Sequence, residues 1–379
     1  MTDLERKRIT DAADTLVVKV GTRVLTGEGG TLDRSRIASL AGQVARIVAG
    51  GKRVVLVSSG AVGAGMARLR LTRRPHDIAQ LQAIAALGQT QLIETYEQVF
   101  RQSGLHAAQV LLTAGDLENR ARYLNVHNTL RALLEYRAVP VINENDTVAV
   151  DELQATFGDN DRLAALVTNL LRAPLLVILS HVEGLFDGPP DDPSHRVVAQ
   201  VSRLDESVWQ WVSDGGSELS KGGMASKLAA AQMVTRAGES VIIAGGHVPD
   251  VLPRILAGET LGTLIAGQGA SIPSRKRWIG FSAPPMGHLT VDAGAARALH
   301  QDGRSLLAIG VTAVEGEFEK GDVVAVVGPS GEELARGLCN YSSFDLQRIR
   351  GLHSDRIAQV LGHCPYQEVI HRDNLTVLL

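Results

Sequence analysis

The sequence predicts an α/β protein whose residues 1–270 form a mostly parallel sheet flanked by helices, followed by a small, mainly β module over residues 286–379. Three observations carry this. Short β-branched runs alternate with longer stretches of helical period through the first part, the pattern of repeated strand–helix units. The texture then breaks in GQGASIPSRKRWIGFSAPPMG, where Ser, Pro and Gly crowd around the basic triplet Arg275, Lys276 and Arg277, and residues 271–285 read as a linker. Beyond it, apolar runs such as Leu306 to Val314 and Asp322 to Val327 are punctuated by Gly316, Gly321, Gly328 and Gly331, which suits a small β domain.

Along the chain, Thr15 to Val20 opens the sheet as a strand. Ile37, Leu40, Ala41, Val44, Ile47 and Val48 recur at helical spacing up to a stop at Gly50 and Gly51. Arg53 to Ser58 is the next strand, then a long helix from about Asp77 to Gln102, a strand Ala107 to Leu112, a helix around Arg120 to Tyr136 and a strand Val139 to Ile142. The alternation continues with helix Asn160 to Leu171, strand Leu175 to Leu179, helix Met224 to Arg236, strand Val241 to Ala244 and helix Val251 to Leu256.

Composition bounds the function. The 379 residues are 45% hydrophobic and 21% charged, with 38 basic against 41 acidic side chains and a net charge of −3. A chain of this kind buries its own cores and is not disordered. No run approaches the roughly 18 apolar residues of a membrane span, and the charged start MTDLERKRIT leads into no apolar segment, so no membrane partner and a cytoplasmic location are expected. The two cysteines, Cys339 and Cys364, are too few for a disulfide framework, and with His353, His363 and His371 they match no zinc spacing. Near-neutral charge and 4% aromatics argue against a nucleic-acid surface.

Four segments carry chemistry. Lys19 sits near the end of the first strand before Gly21 and Thr22; the carboxyl ends of parallel strands are where ligands bind. A lysine in an apolar strand needs an anion unless it snorkels at an edge. VSSGAVGAG, residues 57–65, passes from strand to serines and glycines before a helix, which suits phosphate or carboxylate, or a tight turn; the G-x-G-x-x-G fingerprint fails at Arg68 and no P-loop exists. From Asn143 to Asp161 lie Asn143, Glu144, Asn145, Asp146, Asp151, Glu152, Asp159, Asn160 and Asp161, suited to an ammonium group or cations, or to a solvated loop with a helix cap. KGGMASK, Lys221 to Lys227, reads as a glycine loop entering a helix, with backbone donors and Lys227 reaching a polyphosphate.

Together these segments resemble the bacterial glutamate 5-kinases of the amino acid kinase superfamily with a C-terminal PUA domain. VVKVGTRVLT, VSSGAVGAG, VINENDTVA, FGDNDRLAALV, GGMASKLAAA, RKRWIGF, LTVDAGAARAL, SLLAIGVTAVEGEFEKGDVVAV and EVIHRDNL carry the likeness in order. The resemblance implies a three-layer αβα sandwich of the amino acid kinase type and a PUA-like domain. It implies ATP-dependent phosphorylation of the L-glutamate γ-carboxylate, the first step toward proline, with Mg²⁺ held mainly by the ATP phosphates. It assigns Ser59, Asp146 and Asn160 to glutamate, Lys19 and Lys227 to the transferring phosphoryl group, and Asp161 to orienting the lysines. Lys19, Ser180, His181 and the run Lys221, Gly222, Gly223, Met224, Ala225, Ser226 and Lys227 would contact ATP. It further implies feedback inhibition by proline and a homo-oligomer, a dimer or tetramer.

Two positions depart from the family pattern: His181 stands where Asp is usual, and Lys221 where Thr precedes the glycine pair. The rival readings are an acetylglutamate or aspartate kinase, or an RNA-binding protein acting through the last hundred residues, although RNA is not expected as the main partner. A carboxylate nucleophile with a pKa of about 4.3 is already ionised, so no general base is required and the absence of a His or Cys nucleophile constellation follows.

Overall fold

The computed structural model describes residues 2–27, 32–149, 159–190, 192–213, 218–269, 271–364 and 366–378. The chain divides into two units. The first comprises Met1–Asp116 and Ala121–Ser271, the second Leu117–Arg120 and Ile272–Leu379.

As far as residue 265 the chain runs α1 (Thr2–Ala12), β1 (Thr15–Val20), α2 (Thr22–Leu25), α3 (Arg34–Ala49), β2 (Arg53–Ser58), α4 (Ala61–Arg68), α5 (Ile78–Gln102), β3 (Ala107–Leu112), α6 (Ala114–Glu118), α7 (Arg120–Glu135), β4 (Val139–Glu144), α8 (Asp159–Leu171), β5 (Leu175–Ser180), β6 (Gln200–Val201), α9 (Glu206–Ser213), α10 (Glu218–Arg236), β7 (Ser240–Gly245), α11 (Val251–Leu256) and β8 (Thr263–Ile265). The strands form one eight-stranded sheet, order β3-β4-β2-β1-β5-β7-β8-β6. Every pairing is parallel except β7 with β8, so the carboxyl ends of β1, β2, β4 and β5 share one edge.

Side-chain alternation decides what each face meets. Leu16, Val18 and Val20 of β1 join Leu56, Val141, Val177 and Ile242 in a core closed by Ile37 and Val44 of α3, Leu92, Tyr96 and Phe100 of α5, and Val251 and Ile255 of α11. Lys19, one residue out of phase, belongs to the opposite face. There α8 packs against β1, β2, β4 and β5, and α10 packs against α8 and β7. The result is the expected αβα sandwich.

Local chemistry explains the boundaries. Asp33 caps α3 by accepting from the Ser35 and Arg36 amides, and Asp77 caps α5 by accepting from Gln80, each satisfying orphan helix donors. Helix α1 is absent from the sequence expectation because its residues show no apolar stripe. Tertiary contacts hold it: the buried Arg6 guanidinium donates to the carbonyls of Leu261 (2.7 Å), Ala199 (2.8 Å) and Gly262 (3.3 Å).

The second unit holds β9 (Gly287–Val291), α12 (Ala293–His300), β10 (Leu306–Leu307), β11 (Val311–Glu315), β12 (Val323–Val327), β13 (Glu333–Leu338), α13 (Ser343–Ile349), α14 (Ile357–Leu361), β14 (Glu368–Ile370) and β15 (Leu375–Val377). A five-stranded sheet, β11-β9-β12-β13-β15, and a β10–β14 pair surround a separate core that includes Leu289, Val324, Leu346 and Ile370. The run Leu306 to Val314 is not one strand: a 3₁₀ turn at Ala308–Gly310 divides it into β10 and β11. An apolar run cannot by itself reveal such a break, since both flanks bury alternate residues.

Candidate active site

Lys19, the fifth residue of β1, is 6% exposed, which rules out the snorkelling reading. Its Nζ lies 2.7 Å from Asp161 Oδ1, and Lys227 Nζ lies 3.2 Å from Asp161 Oδ2. Ser226 Oγ donates to Asp161 Oδ2 at 2.6 Å, and Lys227 Nζ also donates to the Gly223 carbonyl at 2.9 Å. A strand, α8 and α10, far apart in sequence, therefore deliver two ammoniums to one buried carboxylate.

The electrostatics follow from this arrangement. Burial acts to raise the Asp161 pKa, but the charges of Lys19 and Lys227, with hydrogen bonds from Lys19 and Ser226, outweigh it and hold the carboxyl below 3.8. Lys227 is shifted down from 10.5, by burial first, against the opposing pull of Asp161, with Lys19 and Arg23 adding to the lowering. Two cations against one anion leave the cluster with a surplus positive charge, suited to a phosphoryl group.

Next to Asp161, Asn160 belongs to a second, uncharged network. Asn160 Nδ2 donates to Ser59 Oγ at 2.9 Å and to Asn143 Oδ1 at 3.2 Å, while Asn143 Nδ2 donates to Gln89 Oε1 at 2.9 Å. Ser59 follows β2, and Gly60 caps α4 with φ of 107°, a left-handed conformation that glycine adopts without a Cβ penalty. The strand-to-helix turn expected there is present. Gly65, by contrast, lies inside α4, where a Cβ would fall 1.9 Å from the Ile84 carbonyl; its role is packing against α5. Asp146 is buried just beyond β4.

The nucleotide-side residues divide. Ser180, ending β5, is buried, and its carbonyl accepts from Gly246. His181 follows, its Nε2 3.3 Å from Arg23 Nη1. Partial desolvation, then the charges of Arg23 and Lys227, lower its pKa from 6.5. Ser226 and Lys227 reach the charged cluster, whereas Met224 and Ala225 are partly buried on the same helix.

The KGGMASK segment is helix, not the glycine loop its sequence suggests. Helix α10 begins at Glu218, so Lys221, Gly222 and Gly223 are helical and the glycine amides enter intrahelical bonds instead of forming an open phosphate cradle. Glycine costs about 1 kcal/mol in a helix, and flanking helix formers carry the chain through it. The side chains of Lys221 and Asp159, and residues Asp151 and Glu152, lie outside what the structure describes.

Gln89 and Arg23 also belong to the site's surroundings, though neither is among the residues the sequence singles out. For Gln89 the signal was present: Leu81, Ile84, Ala85, Gly88, Gln89, Leu92 and Tyr96 share the buried register of α5, and a polar residue at a core position marks a network. Arg23 had no such signal, because its proximity to His181 depends on β1 and β5 being neighbours.

The profile of the amino acid kinase family matches residues 14–245, and that of the PUA domain residues 287–361. A glutamate 5-kinase of Rhodopirellula baltica is 49% identical over 372 residues, covering 98% of this chain and 96% of the relative. Those of Nitrosospira multiformis (46%, covering 96% and 97%) and Thioalkalivibrio sulfidiphilus (48%, covering 96% and 96%) are similar over almost the same extent. Among solved structures, carbamate kinase from Giardia lamblia bound to AMP-PNP is similar at 19% identity and a TM-score of 0.49, covering 68% of this chain and 99% of that one. With its αβα sandwich, its lysine–aspartate–lysine cluster and near full-length relatives of one kind, the chain belongs to the amino acid kinase family, among its glutamate 5-kinases with a C-terminal PUA domain.

Proposed function

We infer that the protein catalyses ATP-dependent phosphorylation of the L-glutamate γ-carboxylate, giving γ-glutamyl 5-phosphate and ADP, the first step of proline biosynthesis. The observation that carries this reading is the buried Lys19–Asp161–Lys227 cluster adjoining the Ser59–Asn160 network, a phosphoryl clamp beside an amino-acid pocket.

A γ-carboxylate oxygen attacks the γ-phosphorus, the bond to the β,γ-bridging oxygen breaks, and ADP leaves with the electron pair. No proton moves, because the nucleophile is already ionised. Ser59, Asp146 and Asn160 hold glutamate. Among the described residues, Lys19 has two ammonium protons and Lys227 one beyond their contacts with Asp161 and Gly223; these meet the phosphoryl oxygens as charge builds. Asp161 holds both ammoniums apart from each other and aimed at one point. Ser180, His181 and the α10 segment from Lys221 to Lys227 face ATP.

The Asp161 carboxylate is occupied by the two lysines, which supports a Mg²⁺ carried in by the ATP phosphates, where it would neutralise phosphate charge.

The reading extends to the assembly: a kinase domain over residues 1–270, a linker over 271–285 and a PUA-like domain over 286–379, in a cytoplasmic homo-oligomer inhibited by proline at or overlapping the glutamate site. No helix among the described residues is long and apolar enough to cross a membrane.

The test is acyl-phosphate trapping: protein, Mg²⁺, ATP and hydroxylamine with L-glutamate, N-acetylglutamate or L-aspartate. Hydroxamate is expected with L-glutamate, and Lys227→Ala is expected to reduce it by about 10²–10³-fold, the cost of one lost transition-state donor. A signal only with another acceptor, or near-normal turnover in Lys227→Ala, sinks the reading.

A further inference from the structure

We propose that Gln89 is a positioning residue for glutamate recognition, setting through Asn143 which face of the Asn160 amide meets the substrate. This rests on the assignment of Asn160 to the glutamate pocket.

Gln89 is 6% exposed, Asn143 1% and Asn160 3%, so three primary amides are buried in one file. Each bond in the file has a direction. Gln89 Oε1 accepts from Asn143 Nδ2, which turns Asn143 Oδ1 toward Asn160, and Asn160 Nδ2 then donates to both Asn143 Oδ1 and Ser59 Oγ. With Nδ2 so committed, the acceptor side of the Asn160 amide is set opposite it, the polarity that suits the α-ammonium of an amino acid. Were Asn143 to rotate its amide, two N–H groups would face each other and the Asn160 polarity would no longer be specified. In the observed arrangement Gln89 Oε1 is the acceptor that pairs with Asn143 Nδ2 and so favours this polarity.

The placement of Gln89 is built into the backbone. A Cβ on Gly88 would fall 1.8 Å from the Ala61 carbonyl and 2.3 Å from the Gly65 amide nitrogen, and one on Gly65 would fall 1.9 Å from the Ile84 carbonyl. Helices α4 and α5 thus touch backbone to backbone one residue before Gln89, at the elbow that carries Ser59. The helix cannot withdraw without losing that packing.

Burial also points to a recognition role. Gln89 Nε2 is fully buried with no hydrogen-bond partner among the described residues, a liability that an apolar residue of similar size would avoid. A position needed only for packing gains nothing from glutamine.

The experiment compares wild type, Gln89→Leu, Gln89→Met and Gln89→Glu in the hydroxamate assay, with L-glutamate and with glutarate, which lacks the ammonium group. Loss of one oriented buried hydrogen bond is expected to raise KM for glutamate about tenfold in the Leu and Met variants, to leave KM for ATP within about twofold, and to lower the glutamate-over-glutarate preference by about tenfold. Gln89→Glu, which keeps an acceptor oxygen toward Asn143, is expected to restore that preference to within about threefold of wild type. An unchanged preference in Leu and Met, an equal rise in both KM values, or failure of Glu to differ from Leu overturns the proposal. Wild-type protein inert toward glutamate is a separate result: it removes the glutamate assignment, and the proposal with it.

Discussion

Asp161→Asn tests the charged centre most directly. The carboxylate is 1% exposed and sits between two ammoniums, 2.7 Å from Lys19 and 3.2 Å from Lys227. At an effective dielectric of about 20 each such attraction amounts to about 4 kcal/mol or somewhat more, set against several kcal/mol of desolvation for each buried ion. Asparagine keeps the volume and can still accept from Ser226, but it leaves two buried lysines facing each other; removing one member of a buried charge set costs about 3–5 kcal/mol. The urea midpoint is expected to fall accordingly with an unchanged m-value. Turnover is expected to drop by about 10²–10³-fold, because the ammoniums splay apart. Added Mg-ATP is expected to restore more of the midpoint in the variant than it adds to wild type, since phosphate replaces the missing negative charge. A variant within about 0.5 kcal/mol of wild-type stability and with near-normal turnover would show that Asp161 does not hold the two lysines in place. The pH dependence has a definite sign. The folded carboxyl titrates below 3.8, so its stabilisation is complete above the unfolded value and is lost as pH falls through the folded one. An acid limb of activity at mildly acid pH belongs to a different group.

Three further outcomes are open to measurement. Gly88→Ala forces a methyl into the Ala61 carbonyl and is expected to cost about 3 kcal/mol as overpacking, read as a lowered urea midpoint; a neutral result would mean that α4 and α5 separate easily. Arg6→Leu removes three charge-assisted bonds from the Leu261, Ala199 and Gly262 carbonyls and is expected to cost about 3 kcal/mol, with faster proteolysis around β6; unchanged protease resistance would contradict the pinning of α1. The His181 ring, followed by NMR, is expected to protonate below 6.5 and to shift upward in Arg23→Ser, though not fully, because desolvation is the larger cause; an unmoved midpoint would remove Arg23 from its surroundings.

The legible part of the protein is the part governed by local periodicity. Strands β1, β2 and β3 and helix α11 occupy the segments that alternation and helical period mark out, because each buries a face whose spacing is written in consecutive residues. Lys19, Ser59, Asn160 and Asp161 were also legible, as polar residues where apolar strands end or helices begin. What failed did so for local reasons. Helix α1 has no apolar stripe and is held by tertiary contacts, those of Arg6, Glu5 and Thr10 among them, the glycines before Met224 are permissive enough to be helix or loop, and the break at Ala308 lies within an apolar run.

By itself the sequence determined the α/β class, the change of texture near residue 270, the family and the chemical types at the site, since these depend on residue identity and spacing along the chain. That Lys19 meets Asp161 of α8, that Asp161 joins Lys19 to Lys227, and that Gln89 reaches Asn143 and Arg23 reaches His181 follow from tertiary packing alone. Those contacts span strand order, side-chain phase and helix approach. They are set by which elements become neighbours when the sheet assembles, and no stretch of consecutive residues encodes that alone.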